Sequence, residues 1–517
     1  MKPYPIGIQD FEKLRKEGYL YVDKTRQMYN LISSGSYFFL SRPRRFGKSL
    51  LLSTLKYIFQ GKKALFEGLW IEDTPYKWEV HPVVHISFGS LGFQDVGLKA
   101  ALEAEIEKIA NQHSITLTEQ GLARKFRSLI EQLGSGTQKL VLLIDEYDKP
   151  MVDYLEKPEV VAENQRAIKS FFSVIKDSDP YLAFFMLTGV SRFSKVSLFS
   201  DLNNLHDITF HPEYASIGGY TPEELIHYFE TAISQVAQIH NTTQSALLRN
   251  IQTWYNGYQS QQGNPVYNPF SILSFFSSGR FANYWWETGT PTFLLKLLRK
   301  QLVYDFEDLT VGFEVFDNYM LENMDWRSLL LQTGYLTLKS EDFKTNTVIL
   351  TYPNREVEIS LTSHLLAYYR NADREESQAL FRQIQDALFY RDLQKFIELI
   401  NVLFASIPYN LFEEKRERFF HAILHLTFRG MGILTQSEVS TSKGRVDCVV
   451  HTPEVMYVME FKLDAPAKVA LRQIQEKQYG APFLEGGKKV LAVGICFLSQ
   501  KKAVAEWKAE PYKDMIS

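Results

Sequence analysis

Short apolar runs and amphipathic stretches alternate through the first two hundred residues. Residues 37–40, 83–88, 140–145 and 183–188 are nearly continuous hydrophobic segments, the pattern of strands buried on both faces. Residues 50–59, 98–109 and 161–176 carry helical spacing and are long enough for crossover helices, so the rhythm predicts a parallel sheet flanked by helices. Residues 208–210 are a candidate fifth, edge strand. After Tyr220, Thr221-Pro-Glu-Glu-Leu opens a helix with a hydroxyl cap and Pro in the first turn, and helical, aromatic-rich sequence runs to about Arg299. From Arg327 a helix-like run leads into residues 334–338 and 347–352, a helix-then-hairpin order compatible with a winged helix. Residues 375–406 read as a charged helical pair and 417–429 as a further helix. Strands then follow at 445–450, 455–462 and 490–497, making a separate α/β unit.

A chain of 517 residues exceeds what one hydrophobic core supports, so two or three domains are expected. With 45% hydrophobic and 23% charged residues the composition is globular, which excludes disordered and fibrous classes. The net charge of -3 provides no global field for polyanions, and nucleic-acid contact would have to come from local Lys and Arg clusters. Cys448 and Cys496 both sit in apolar, strand-like runs, where free thiols in a reducing cytoplasm are expected. The opening residues lack the apolar core of a signal peptide, and no run approaches the roughly 20 apolar residues that span a bilayer. A cytoplasmic protein without a membrane partner is the expectation.

Directly after the first strand comes Ser41-Arg-Pro-Arg-Arg-Phe-Gly47-Lys48-Ser49, and helical spacing starts at once. That is the setting of a phosphate-binding loop. Gly47 lets the backbone approach phosphate, Lys48 can reach the outer phosphates, and the Ser49 hydroxyl can hold Mg²⁺ at a helix N-terminus. Arg45, Phe46, Gly47, Lys48, Ser49 and Leu50 are therefore candidate ATP-binding residues. Arg42 stands where the first glycine of the pattern is expected, and Pro43 removes an N–H. Either Arg42, Arg44 and Arg45 supply charge to the phosphates, or they form a solvated basic turn. A second element supports the loop: residues 140–144 end in Asp145 and Glu146, where Asp145 would hold Mg²⁺ through water and Glu146 would polarise the attacking water. Thr188 ends the next strand at the position of a polar γ-phosphate sensor. Arg192 beyond it is a candidate charge-stabilising finger, a partner for DNA phosphate, or a plain surface residue.

The second constellation lies near the C-terminus. Asp447 is on one strand and Glu460-Phe-Lys462 on the next, with turn-like Thr452-Pro-Glu between them. Period-two geometry places Glu460 and Lys462 on one face, and hairpin pairing brings Asp447 beside them. Two carboxylates that bind Mg²⁺ or Mn²⁺, with a lysine to orient water, make up phosphodiester-hydrolysis chemistry. Glu417 on the preceding helix, and Gln473 and Tyr479 after the hairpin, are candidates to reach substrate or support the metal. The alternative is a hairpin whose charges are merely solvated.

At these residues the chain resembles a bacterial family of AAA-ATPase-like proteins whose C-terminal domain belongs to the PD-(D/E)XK nuclease superfamily. The resemblance covers nearly the whole length. It rests on Tyr4-Pro-Ile-Gly-Ile-Gln-Asp-Phe, Tyr21-Val-Asp-Lys-Thr, the Arg42 loop, Leu143-Ile-Asp-Glu-Tyr-Asp-Lys-Pro, Trp254-Tyr-Asn-Gly-Tyr, Tyr267-Asn-Pro-Phe and Tyr284-Trp-Trp-Glu-Thr-Gly-Thr-Pro. It implies that Arg42 is the family's own loop variant. It also places Glu417, Asp447, Glu460, Lys462 and Gln473 on the nuclease motif, with Gly444 and Arg445 before the aspartate. The expected architecture is a multidomain α/β chain. Residues 1–213 would be an AAA-like P-loop ATPase, 214–318 a helical lid or middle region, 319–370 a winged-helix segment, and 371–517 a helical connector with the restriction-endonuclease-like domain. The aromatic segments around Trp254 and Trp285 read as core rather than as a stacking platform for bases. The expected activity is ATP binding and hydrolysis coupled to metal-dependent cleavage of nucleic acid, with DNA favoured over RNA and self-association left open. The competing expectation is an ATP-dependent switch whose nuclease-like fold binds nucleic acid or protein without cutting.

Overall fold

The computed structural model describes residues 2–192, 204–259, 263–285, 292–301, 303–316, 325–370, 374–407, 416–431, 434–441 and 444–516. Strands β1 (Tyr37–Ser41), β2 (Val83–Ser87), β3 (Leu140–Asp145), β4 (Leu182–Gly189) and β5 (His206–Asp207) form a parallel sheet in the order β2-β3-β4-β1-β5. Strands β1 and β3 are buried along their whole length, which is why they read as unbroken apolar runs rather than alternating ones. The edge strand ends earlier than residues 208–210 would have it. The Asp207 carboxylate accepts the Thr209 N–H at 3.0 Å, a turn that ends the pairing, and Ile208 drops into the core instead. Because β1 and β3 both run parallel to the β4 between them, the loop after β1 and the acidic end of β3 open at the same edge of the sheet.

Helices Pro222–Ile239, Gln244–Tyr255 and Pro269–Ser278 pack around Phe229, Ile251, Tyr255, Ile272 and Phe275. The first is fixed by the full reciprocal cap between Thr221 and Glu224. Trp254 packs half-buried against Tyr255 and Phe281 at the edge of this core, whereas Trp285 is buried against Tyr335 and lines the cavity beside the loop after β1. The run that begins at Tyr284 leaves the described residues after Trp285. The helix-then-hairpin order is present as Trp326–Thr333 followed by β7 (Thr337–Asp342) and β8 (Thr347–Thr351). An unforeseen strand, β6 (Leu309–Gly312), joins them in an antiparallel sheet of order β6-β8-β7.

The chain divides into two compact units, Met1–Phe293 with Glu307–Asn354, and Leu294–Phe306 with Arg355–Ser517. In the second unit a mixed sheet has the order β13-β12-β11-β10-β9, from β9 (Leu434–Thr441), β10 (Gly444–His451), β11 (Val455–Leu463), β12 (Lys489–Leu498) and β13 (Ala503–Pro511). Strands β11 and β12 run parallel, with helix Ala467–Glu476 as the crossover, and all other pairs are antiparallel. Cys448 and Cys496 are buried free thiols in this sheet. No helix among the described residues is long and apolar enough to cross a membrane.

The crossover helix sits close on β12 at one glycine. A Cβ at Gly494 would lie 2.4 Å from the Ala467 carbonyl oxygen, a clash with backbone that no rotamer relieves. Gly494→Ala should therefore destabilise the second unit by about 1–3 kcal/mol, read as a lower urea midpoint, whereas an unchanged midpoint would mean the helix stands off the sheet.

Candidate active sites

The loop after β1 leads straight into helix Lys48–Phe59 and lines a cavity of about 400 Å³, a size suited to a cofactor-sized ligand. Arg45, Phe46, Gly47, Lys48, Ser49, Leu50 and Glu146 all face it. Gly47 caps the helix at φ 69°, a conformation that favours glycine, and Arg45 (φ 70°) and Glu146 (φ 53°) adopt the left-handed region without being glycine. Left-handed residues also occur elsewhere among the described residues, at Trp78 and Asp464 for example, but Arg45 and Glu146 stand at the cavity.

Lys48 is buried, and its Nζ donates to the carbonyl oxygens of Arg42 (2.9 Å) and Pro43 (3.0 Å). Burial pushes its pKa down, against the opposing charges of Asp145, Asp148 and Glu146. The Ser49 hydroxyl donates to Asp145 Oδ2 at 2.5 Å, joining the two groups expected to share Mg²⁺. Glu146 is half-buried. Desolvation raises its carboxyl pKa, and the neighbouring Asp145 charge adds to the rise.

Three expectations change. Arg42 neither faces phosphate nor belongs to a solvated turn: it is buried, and its guanidinium donates to the carbonyls of Thr209, Ser41 (3.3 Å), Tyr214 (3.0 Å) and Ala215 (3.5 Å). Burial brings its pKa down to about 10, so the charge is retained at neutral pH. The loop begins without its first glycine because this side chain holds the chain in place from behind. Thr188 is fully buried and donates to Asp145 Oδ1 at 2.6 Å, so it orients the acid instead of lining the cavity. Arg192 is also absent from the lining. It pairs with Asp207 (2.8 Å), donates to the Phe316 carbonyl (2.6 Å) and lies over the Phe210 ring, an anchor rather than a free finger.

The sequence reading gave no role to Asp148, Tyr147 or Phe270 and did not foresee the contacts that hold the loop. Asp148 is buried at the cavity wall and accepts the N–H groups of Val190 (3.0 Å) and Ser191 (2.6 Å), while the Tyr147 hydroxyl donates to the Ser191 carbonyl (2.9 Å). Together they bind the turn after β3 to the exit of β4. The Trp285 indole N–H donates to the Arg44 carbonyl at 3.2 Å, and Arg45 lies over the Phe270 ring at 4.5 Å. Asp148 had a signal in its spacing three residues beyond Asp145; the aromatic contacts had none.

In the second unit the β10–β11 register pairs Cys448 with Met459, and its continuation sets Asp447 opposite Glu460. Asp447 Oδ2 accepts the Phe461 N–H (2.8 Å), Glu460 Oε2 accepts the Asp447 N–H (3.3 Å), and Lys462 Nζ donates to Glu460 Oε1 (2.9 Å). The two acids and the lysine therefore converge. Glu460 is 1% exposed, and burial first, then the Asp447 charge, raises its carboxyl pKa to about 7 despite Lys462. Two facing carboxylates beside a lysine form a donor set that fits a divalent cation, as Ser49 with Asp145 does in the first unit. Gln473 hydrogen-bonds to the Tyr479 hydroxyl (3.5 Å) rather than to either acid. Glu417 falls on helix Arg416–Gly430, but its side chain lies outside the described residues. The same helix brings up His421, whose Nε2 is 3.9 Å from Asp447 Oδ2. Its spacing of four from Glu417 was the available signal.

Two outcomes follow. Arg42→Gly restores the common loop glycine yet removes the buried guanidinium, and should cost about 2–4 kcal/mol of stability in urea unfolding; a gain would contradict the bracing role. The fold favours protonated Glu460, whose pKa of about 7 exceeds the ordinary 4.5. Its contribution is thus most favourable below pH 4.5 and is lost as pH rises through 7. Without metal, wild type should lose stability over that window relative to Glu460→Gln, and parallel stability profiles would rule the effect out.

Residues 5–199 match a family described as predicted AAA-ATPase, and residues 415–507 match the PD-(D/E)XK nuclease superfamily. A protein of Azotobacter chroococcum mcd 1, described as an uncharacterized protein in the vnfD 5' region, is 36% identical over 526 residues, spanning 98% of this chain and 99% of that one. With the loop, the paired acids and the end-to-end relative in agreement, this chain belongs to the family that joins an N-terminal AAA-ATPase-like domain to a C-terminal PD-(D/E)XK nuclease superfamily domain.

Proposed function

We propose that the chain is an ATP-hydrolysing, metal-dependent nuclease in which the nucleotide state controls cutting of nucleic acid, DNA in preference to RNA, in the cytoplasm. The observation that carries the reading is the convergence of Asp447, Glu460 and Lys462 in a chain that also holds a lined phosphate-loop cavity.

In the first unit, Lys48 and the N–H groups at the start of helix Lys48–Phe59 would neutralise the outer phosphates of ATP. Glu146 would accept the proton of the attacking water, with its carboxyl held above the ordinary range for that task. Ser49 and Asp145 would hold Mg²⁺, with Thr188 keeping the aspartate in position. In the second unit, Asp447 and Glu460 would hold Mg²⁺ or Mn²⁺, and Lys462 would orient water and stabilise charge on the phosphodiester. The cation, when bound, polarises the scissile phosphate and makes water more acidic.

One feature favours a competing reading, a switch that binds without cutting: both Glu460 oxygens are engaged and the side chain is closed off from solvent. The full chain should be incubated with ATP, Mg²⁺ or Mn²⁺, and varied DNA and RNA, reading phosphate release and polynucleotide integrity together. Lys48→Ala should lower phosphate release on the order of 100-fold or more, while Asp447→Ala, Glu460→Ala and Lys462→Ala should abolish cleavage and spare ATP hydrolysis. Cleavage at the same background in wild type and all three nuclease-site variants would exclude the nuclease and leave the switch.

A further inference from the structure

The backbone of Glu146 is pinned on both sides, and only the torsions of its side chain remain to place the carboxylate. Its N–H donates to Asp145 Oδ1 at 3.0 Å, its carbonyl accepts the Lys149 N–H at 3.1 Å, and its φ of 53° sets the direction in which the side chain leaves. That direction leads to the neighbouring strand. Ser87, the last residue of β2, pairs with Asp145, and the short turn Phe88–Ser90 follows it.

The carboxylate lies directly against Gly89 in this turn. A Cβ built there would overlap Glu146 Oε2, and would stand 3.2 Å from Glu146 Cδ and 3.6 Å from the Lys149 stem. Gly89 does not occupy the left-handed region, so its backbone makes no demand for glycine; clearance does. The turn is also anchored where it stands. Phe88 is fully buried against Phe171 and Phe172, and the Ser90 hydroxyl donates to the Ser87 carbonyl at 3.0 Å. Lys149, whose stem borders the same space, has its ammonium paired with Asp153 at 3.2 Å.

We infer that Gly89 is a positioning residue for ATP hydrolysis: by carrying no side chain, it leaves the Glu146 carboxylate the place from which it meets the attacking water. The inference rests on the ATPase reading above and deepens it. Gly89 itself stands outside the cavity wall that Glu146 lines, so it acts through the acid and not on the nucleotide. The atom in the way of a methyl group at 89 is the free end of a flexible side chain, so a rotamer change would relieve the overlap without unfolding the turn. A base displaced by about 1 Å loses its alignment with the water, whereas the phosphates keep Lys48 and the N–H groups of helix Lys48–Phe59.

The test uses the full chain with ATP and Mg²⁺, reading kcat, the affinity for a fluorescent ATP analogue, and the urea midpoint. Glu146→Gln should lower hydrolysis by about 100-fold or more and keep nucleotide affinity. Gly89→Ala should lower kcat by about tenfold or more, with affinity within about twofold and an unchanged midpoint. Added to Glu146→Gln, it should lower the residual rate no further, because both changes act through one carboxylate; a purely structural role would lower both backgrounds alike. If Glu146→Gln loses hydrolysis while Gly89→Ala keeps the wild-type rate or exceeds it, acts mainly on affinity or the midpoint, or multiplies with Glu146→Gln, the Gly89 assignment is overturned and the ATPase reading stands. If Glu146→Gln hydrolyses ATP at the wild-type rate, Glu146 is not the base and both are overturned.

Discussion

A carboxylate taken out of water needs a positive charge or several donors to remain ionised, and both halves of this chain place carboxylates where hydrophobic strands exclude water. Asp145 ends a wholly buried strand and is gripped by Ser49 and Thr188. Glu460 is equally enclosed, with Asp447 across the hairpin and Lys462 donating to it at 2.9 Å. The register of β10 on β11 imposes that crowding, since cross-strand neighbours project to the same side. The sheets pay for no such arrangement in packing. Burial first, then the Asp447 charge, holds the Glu460 carboxyl above its ordinary pKa.

The phosphate-binding loop solves a different problem. A glycine at its start would allow the turn by backbone freedom alone; Arg42 achieves it by tying the turn to the segment that carries Thr209, Tyr214 and Ala215. Trp285 and Phe270 hold the same loop from the helical region, through Arg44 and Arg45. The loop is therefore embedded in contacts beyond the sheet it extends, and a change in its shape on nucleotide binding would be felt by the residues that hold it. Arg45 and Glu146, in left-handed backbone conformations, are the points where such a change would release strain.

The parallel sheet was legible because fully buried strands leave continuous apolar runs, and the hairpin carrying Asp447 and Glu460 because turn residues and period-two spacing mark it. Edge strands were harder. β13 alternates between half-buried and exposed positions and β9 is largely polar, so neither shows the contrast that the central strands do. At the sites, residue type was readable and direction was not. Thr188 and Arg192 stand where polar side chains are expected and Arg42 where the pattern puts a glycine, yet the three turn towards Asp145, Asp207 and backbone carbonyls respectively, partners fixed by tertiary packing. Asp148 and His421 had only their spacing from Asp145 and Glu417 as a signal, and their contacts depend on how the turn after β3 and the helix before β9 are placed.

On the proposed function, two separated acid clusters each hold a divalent cation against phosphate. Crystals of the full chain grown with Mn²⁺ and a non-hydrolysable ATP analogue test it by anomalous scattering at the manganese edge. One peak is expected between Ser49 and Asp145 beside the nucleotide, and a second between Asp447 and Glu460. A structure with the nucleotide bound and no manganese at the Asp447–Glu460 pair would contradict it.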